Sequence, residues 1–234
     1  MPALNTTNFD VTKLIFTEAK PNKNGGKYAT IGYGDEKNQV QFQLGSLPNE
    51  LFYCYYGVDK ASPNDPSSGF QIKLDLTENA KVFLKKLEEA TLAAAERNSV
   101  SWFKKQLTKD KIASIYKPLV REDESGARVD RVWLKIFKEG PYAAKVTLVK
   151  KKGDKYTKGP GTFEDVEKGW VLPIVKIKGG VYFGNGGNFG TSLVATEIVV
   201  VQEEGAVSHD SAVDTSGIVF EDDAEMDEAE AEGE

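Results

Sequence analysis

Short runs of alternating apolar and polar residues open the chain. "KYATIGYG" and "VQFQLG" alternate, and "FQIKLDL" sets Phe70, Ile72, Leu74 and Leu76 against Gln71, Lys73 and Asp75, the period of two expected of half-buried strands. Strong breakers separate them: "PNKNGG" from Pro21, "GDEKN" from Gly34 and "KASPNDPSSG" from Lys60. The period then changes. "TENAKVFLKKLEEATLAAAERN" repeats Ala80, Phe83, Leu84, Leu87, Ala90, Thr91 and Ala94 on one face, with Thr77 as N-cap and Glu78 in the first turn, which predicts a helix whose other face carries Lys81, Lys85, Glu88, Glu89 and Glu96. A shorter helical stretch holds Trp102, Phe103 and Leu107 as core candidates, and Pro118 stops helical structure after Tyr116.

Strand patterns return in "RVDRVWLKIFK", "YAAKVTLVKKK", "GWVLPIVKIKG" and "GTSLVATEIVVVQ". Pro173 marks its strand as an edge or bulged one, because proline cannot donate to a ladder. No internal repeat is visible. Many short strands with turns between them predict a mainly β barrel or sandwich, drawn as one domain over residues 1–202 with a helical insertion near 77–117 and a tail over 203–234.

Composition narrows the function classes. The single cysteine, Cys54, excludes an intramolecular disulfide framework and a multi-cysteine zinc site. The single histidine, His209, lies in the polar tail, so no Ser-His-Asp, Cys-His or His-rich metal arrangement can be built. No paired-carboxylate signature stands out, and the chain reads as a non-enzyme needing no cofactor and no metal. No leader-like segment opens it and no apolar run reaches the roughly 20 residues of a membrane span, so an intracellular protein without a membrane partner is expected.

The charge is unevenly divided. Thirteen of the 36 acidic residues fall between Glu203 and Glu234, where there is no Lys or Arg, leaving 23 against 30 basic residues in the body. The body is therefore +7 and the tail −13. Blocks of like charge with few large apolar residues cannot offset the entropy of ordering, which predicts disorder from residue 203 onward. A tethered polyanion stays near a cationic body at high effective concentration and imitates nucleic acid there; the plainer reading is that it serves solubility.

Binding a single strand without reading its sequence needs cations for phosphates and aromatic faces for bases. Outside the apolar face of Val132, Leu134 and Ile136, "RVWLKIFK" presents Arg131, Trp133, Lys135 and Phe137, followed by Lys138. This reads as a stacking platform, unless the helical insertion covers Trp133. "KKKGDKYTKG" gathers Lys150, Lys151, Lys152, Lys155 and Lys158 around Tyr156, and Trp170 shares a strand face with Lys176 and Lys178. Taken alone, the lysine-rich turn is also what a solvated hairpin looks like. "GGVYFGNGGNFG" lacks Gly-Lys-Ser/Thr and a following helix, so it is no phosphate loop but a hairpin. Its Tyr182, Phe183 and Phe189 either stack on bases or pack on the barrel end.

Three stretches carry a family resemblance. "FQIKLDLTENAKVFLKKLEEATLAAAERN" is similar to the strand and inserted Ala-rich helix of the single-stranded DNA-binding proteins of short-tailed bacteriophages and their relatives in large DNA viruses. "GWVLPIVKIKGGVYFGNGGNFGTSLVATEIVVVQ" resembles that family's last basic strand, aromatic turn and closing strand, and the acidic tail follows as it does there. The resemblance implies an OB-fold barrel that coats unwound DNA in replication, recombination and repair. It also implies an acidic tail that guards the DNA groove and contacts a polymerase, primase or helicase. By position, Lys176, Lys178, Tyr182 and Phe183 fall where the family binds DNA. The family's tails end in an aromatic residue, whereas here Phe220 precedes the acidic run and the chain ends "AEAEGE". The partners expected are single-stranded DNA, replication proteins and, as a homodimer, a second copy of the chain. The other function class carried is an interaction or chaperone protein whose acidic tail holds basic partners, with the barrel as scaffold.

Overall fold

The two longest apolar stretches near the end of the body pair with each other and organise the rest. In the computed structural model, which describes residues 4–22, 26–35, 40–47, 49–60, 69–123, 125, 129–140, 143–152, 155–184 and 186–203, the main sheet has fourteen strands among the described residues, of which nine frame it. They are β1 (Lys27–Ala29), β2 (Gln41–Gln43), β3 (Phe52–Cys54), β4 (Phe70–Asp75) and β5 (Arg131–Ile136), then β6 (Lys145–Lys152), β7 (Lys155–Pro160), β8 (Gly169–Phe183) and β9 (Phe189–Glu203). β8 and β9 form an antiparallel hairpin from Trp170 opposite Val201 to Phe183 opposite Phe189. Along its outer edge β8 receives β3, β2 and β1 in turn, all antiparallel. β9 receives β6, β5 and the short strand Tyr116–Lys117, all parallel. β4 pairs with β5, and β7 with β6.

Side chains from this sheet build a main core, with Phe42, Phe52, Ile72, Leu74, Leu134, Val171 and Val175 fully enclosed, and a small second cluster of Val149, Leu172 and Val199. Among the described residues no ladder joins β3 to β4, so the sheet stays open there. The fold is mainly β and OB-fold-like, with a helical insertion. The described residues all belong to the unit Met1–Glu204; of the tail expected to be disordered from residue 203, Glu203 instead closes β9 by pairing with Lys151, and the rest lies outside the described residues.

Pro173 sits in β8 with partners on both sides, so its strand is central and not an edge. A register shift against β9 follows immediately, between Ile174 and Val175, with Thr196 the extra residue, so of the two alternatives for this strand, edge or bulged, the structure has the bulged one. The predicted glycine-rich hairpin closes β8 on β9, with Gly184 N donating to Asn188 O at 2.8 Å and Gly187 at φ +79°. Gly180, at φ +73°, lies where an added Cβ would meet Ala29 O at 1.9 Å, so only glycine allows β1 this close.

The insertion contains α1 (Glu78–Arg97), α2 (Ser99–Phe103) and α3 (Lys109–Ile115). Ala80, Phe83, Leu84, Leu87, Thr91 and Ala94 of α1 are buried as the period of 3.6 predicts. Glu88, expected on the solvent face, is instead buried. Its Oε1 accepts the N–H groups of Leu119 and Val120 at 2.5 and 3.0 Å, and a carboxylate that takes two backbone donors belongs inside. Leu107 lies between α2 and α3, and the chain after Ile115 is already a strand, in keeping with Pro118.

Thr77 caps α1, its Oγ1 accepting from Ala80 N at 3.2 Å while its hydroxyl donates to Glu50. Thr77→Ala is expected to cost about 1 kcal/mol, read as a lower midpoint in urea unfolding, with Thr77→Ser recovering most of it.

Candidate nucleic-acid interface

The outer face of β5 is set by its register with β4: Arg131 lies opposite Asp75, Trp133 opposite Lys73 and Lys135 opposite Gln71. Trp133 is 45% exposed, so the insertion does not cover it. Lys73 Nζ lies 5.7 Å from its ring centroid and the Arg121 guanidinium 5.2 Å. Neither cation makes an ion pair among the described residues. Arg131, by contrast, donates from Nε to Asp75 Oδ1 at 2.7 Å, which neutralises its charge locally. Phe137 follows the end of β5 and is half-buried.

The platform does not stop at Trp133. β3 alternates, with Phe52 and Cys54 buried and Tyr53 between them facing outward, directly opposite Trp170 of β8. The Tyr53 and Trp170 rings are 5.2 Å apart, Tyr53 and Tyr55 6.0 Å, and Tyr55 and Tyr56 5.1 Å. All three contacts are edge-on, which leaves ring faces open. Tyr55, Tyr56 and Trp170 are 58%, 52% and 52% exposed. Lys73 closes the gap, since its Nζ also lies 5.9 Å from the Tyr56 ring. One track thus runs Trp170, Tyr53, Tyr55, Tyr56, Lys73, Trp133 and Arg121. Burial pushes the Tyr182 phenol up while the Arg121 charge opposes the shift.

Register places the remaining predicted residues around this track. Lys158 pairs with Val149, Val149 with Val201 and Val201 with Trp170, so Lys158 and Trp170 share one row across four strands. Lys176 and Lys135 meet in a second row, on either side of Val194. Lys150 is exposed on the other face of β6. The side chains of Lys151, Lys152, Lys155, Tyr156 and Lys178 lie outside the described ones. In the aromatic turn the two alternatives divide: Tyr182 faces outward, whereas Phe183 and Phe189 pack with Trp102 and Phe103 at the end of the sheet.

Sequence reasoning missed Tyr53, Tyr55, Tyr56, Lys73 and Arg121 as interface residues. "FYCYY" carried a signal, since Tyr53 and Tyr55 alternate with apolar Phe52 and Cys54. Lys73 was legible as outward but not as the neighbour of Trp133. Arg121 had no local signal, because the strand Val120–Arg121 reaches Trp133 only through pairing with β5.

Chemically, the track offers several ring faces and two cations held within about 6 Å of Trp133. Each such face can stack an unpaired base for about 1–3 kcal/mol. Among the described residues no group of three His, Cys, Asp or Glu side chains could hold a metal ion.

No protein-family model and no curated protein matches the chain. Among solved structures it is similar to the single-stranded DNA-binding protein from bacteriophage Enc34 in complex with ssDNA, at 8% identity and TM-score 0.41, over 81% of this chain and 96% of that one. A second structure of the single-stranded DNA-binding protein from bacteriophage Enc34 matches at 10% identity and TM-score 0.39, over 87% and 98%. Its C-terminal truncation matches at 10% and 0.38, over 83% and 98%. Identities this low transfer no residue from one chain to the other.

Proposed function

We propose that the protein binds single-stranded DNA without sequence preference, laying bases on the track from Trp170 to Trp133 and phosphates on the cations beside it. The observation that carries this reading is the continuity of the track: the exposed rings of Trp170, Tyr55 and Tyr56 and the half-buried ring of Tyr53 follow one another at 5.1–6.0 Å and then pass through Lys73 to Trp133. Rings can stack only on bases whose faces are free, which selects unpaired strands over duplex. Every base has such a face, so sequence is not read. Binding of this kind suits a protein that coats unwound DNA inside the cell during replication, recombination and repair.

The acidic tail enters the same reading as a regulator. Glu203 ends β9 opposite Lys151, and Val201, two residues earlier, lies opposite Trp170. A segment of −13 charge therefore begins beside the track and competes with DNA for it at high effective concentration. When DNA displaces the tail, its carboxylates become available to replication proteins.

Titration of intrinsic tryptophan fluorescence with oligothymidine and with duplex, for the full chain and for a chain ending at Gln202, tests both parts. Trp102 is fully buried and supplies a constant background. Single strand is expected to quench the other two tryptophans, and duplex is not. The shortened chain binds more tightly, and the log-log salt slope is about −0.7 for each phosphate neutralised. No response from either chain sinks the DNA reading and favours a scaffold whose tail holds basic proteins. Equal affinities with and without the tail would remove the competition alone.

A further inference from the structure

The helical insertion carries a second set of cations that the track does not use. Between Lys104 and Lys117 there are five lysines and one acid, Asp110. Lys104, Lys105, Lys109, Lys111 and Lys117 are all exposed, and none makes an ion pair among the described residues. Tertiary packing brings both ends of this run to one place. Phe103 and Tyr116 contact the Phe189 ring at 5.2 and 5.3 Å, so Lys104 and Lys117, which follow them in the chain, flank the same end of the β8–β9 hairpin. Lys104 ends α2 with φ 61°, a left-handed backbone that a lysine adopts only under strain. Burial and then the charge of Lys104 hold the Lys27 ammonium below its usual range, and neither lysine makes an ion pair among the described residues.

This cluster is continuous with the track. Lys117 pairs with Gly190, and Gly190 with Tyr182. An added Cβ at Gly190 would stand 3.0 Å from Lys117 O and 3.1 Å from Tyr182 Oη, so the bare glycine lets the tyrosine ring reach the edge of the lysine cluster. Arg121, at the end of the track, follows Lys117 by only four residues.

We propose that the lysines of the insertion form a second phosphate-binding surface, taking the DNA strand onward after it leaves Trp133 past Arg121 and Tyr182. The proposal rests on the single-strand reading and extends it, dividing the interface into a stacking segment and a purely electrostatic one. The lysine segment has no exposed ring of its own, so it is expected to act on long strands only.

The test uses the full chain and a variant combining Lys104→Ala, Lys105→Ala, Lys109→Ala and Lys111→Ala, with a Lys→Gln set as a second variant against helix loss. Fluorescence anisotropy is followed over a salt series with labelled oligothymidines of about 8 and about 30 nucleotides, the shorter within the span of one OB-fold site. Expected for the long strand is a loss of about tenfold or more, with a log-log salt slope shallower by about 2–3. The short strand should bind within about twofold of the unmodified protein. Unchanged binding of the long strand, or equal loss on both lengths, overturns the proposal while leaving the stacking track intact. Tighter binding of both lengths also overturns it, since the lysines would then be holding the chain's own acidic segment. If the unmodified protein binds neither length, the single-strand reading itself fails and this extension with it.

Discussion

Replacing Trp133 and Trp170 together with alanine is expected to weaken binding to oligothymidine by at least about thirtyfold, with little change in thermal stability. The two rings stand at opposite ends of the track, joined through Tyr53, Tyr55, Tyr56 and Lys73. They therefore serve different bases, and their losses should add. Stacking on one ring is worth about 1–3 kcal/mol per base, so two rings together account for about 2–6 kcal/mol. Both rings are about half exposed and lie outside the main core, so the folded state loses little when they go. Isothermal titration of each single variant and of the pair measures the effect. A double variant within threefold of the unmodified protein would show that these rings are bystanders and that affinity is electrostatic alone.

Glu88→Ala is expected to produce the largest loss of stability, about 2–4 kcal/mol in urea unfolding. Its carboxylate accepts two buried N–H groups, from Leu119 and Val120, and lies 3.7 Å from Lys85. Removing an acceptor from buried donors costs their full desolvation, about 1–3 kcal/mol each. The residue also ties α1 to the strand whose next residue, Arg121, covers Trp133. Lys81 and Lys85 strengthen that tie through Asp130 and Glu122, at 2.6 and 2.7 Å. DNA affinity should therefore fall with stability, and Glu88→Gln, which keeps an acceptor, should recover most of both. A Glu88→Ala protein within about 0.5 kcal/mol of the original would mean that water satisfies the two amides.

Local periodicity made much of the fold legible. The inward face of β5, the buried stripe and the cap of α1, and the glycine-rich hairpin all depend on spacing within a few residues, and each stands where the pattern puts it. Glu88 departed from the pattern for a tertiary reason: it is buried because a distant strand delivers two amides to it. Pro173 kept to the pattern, since of the two alternatives, edge or bulged, its strand is the bulged one.

By itself the sequence determined the β-rich class, the helical insertion, the separation of a +7 body from a −13 tail, and the place of Trp133 on the outer face of its strand, though not whether the insertion covers it. These are matters of composition and of periods of 2 and 3.6, which a linear chain displays openly. Only the tertiary structure decided which rings become neighbours. Tyr53 meets Trp170, Lys73 bridges Tyr56 and Trp133, and Arg121 completes the track, through ladders that join residues tens of positions apart. Strand register selects those partners, and register is set by how the apolar faces bury together.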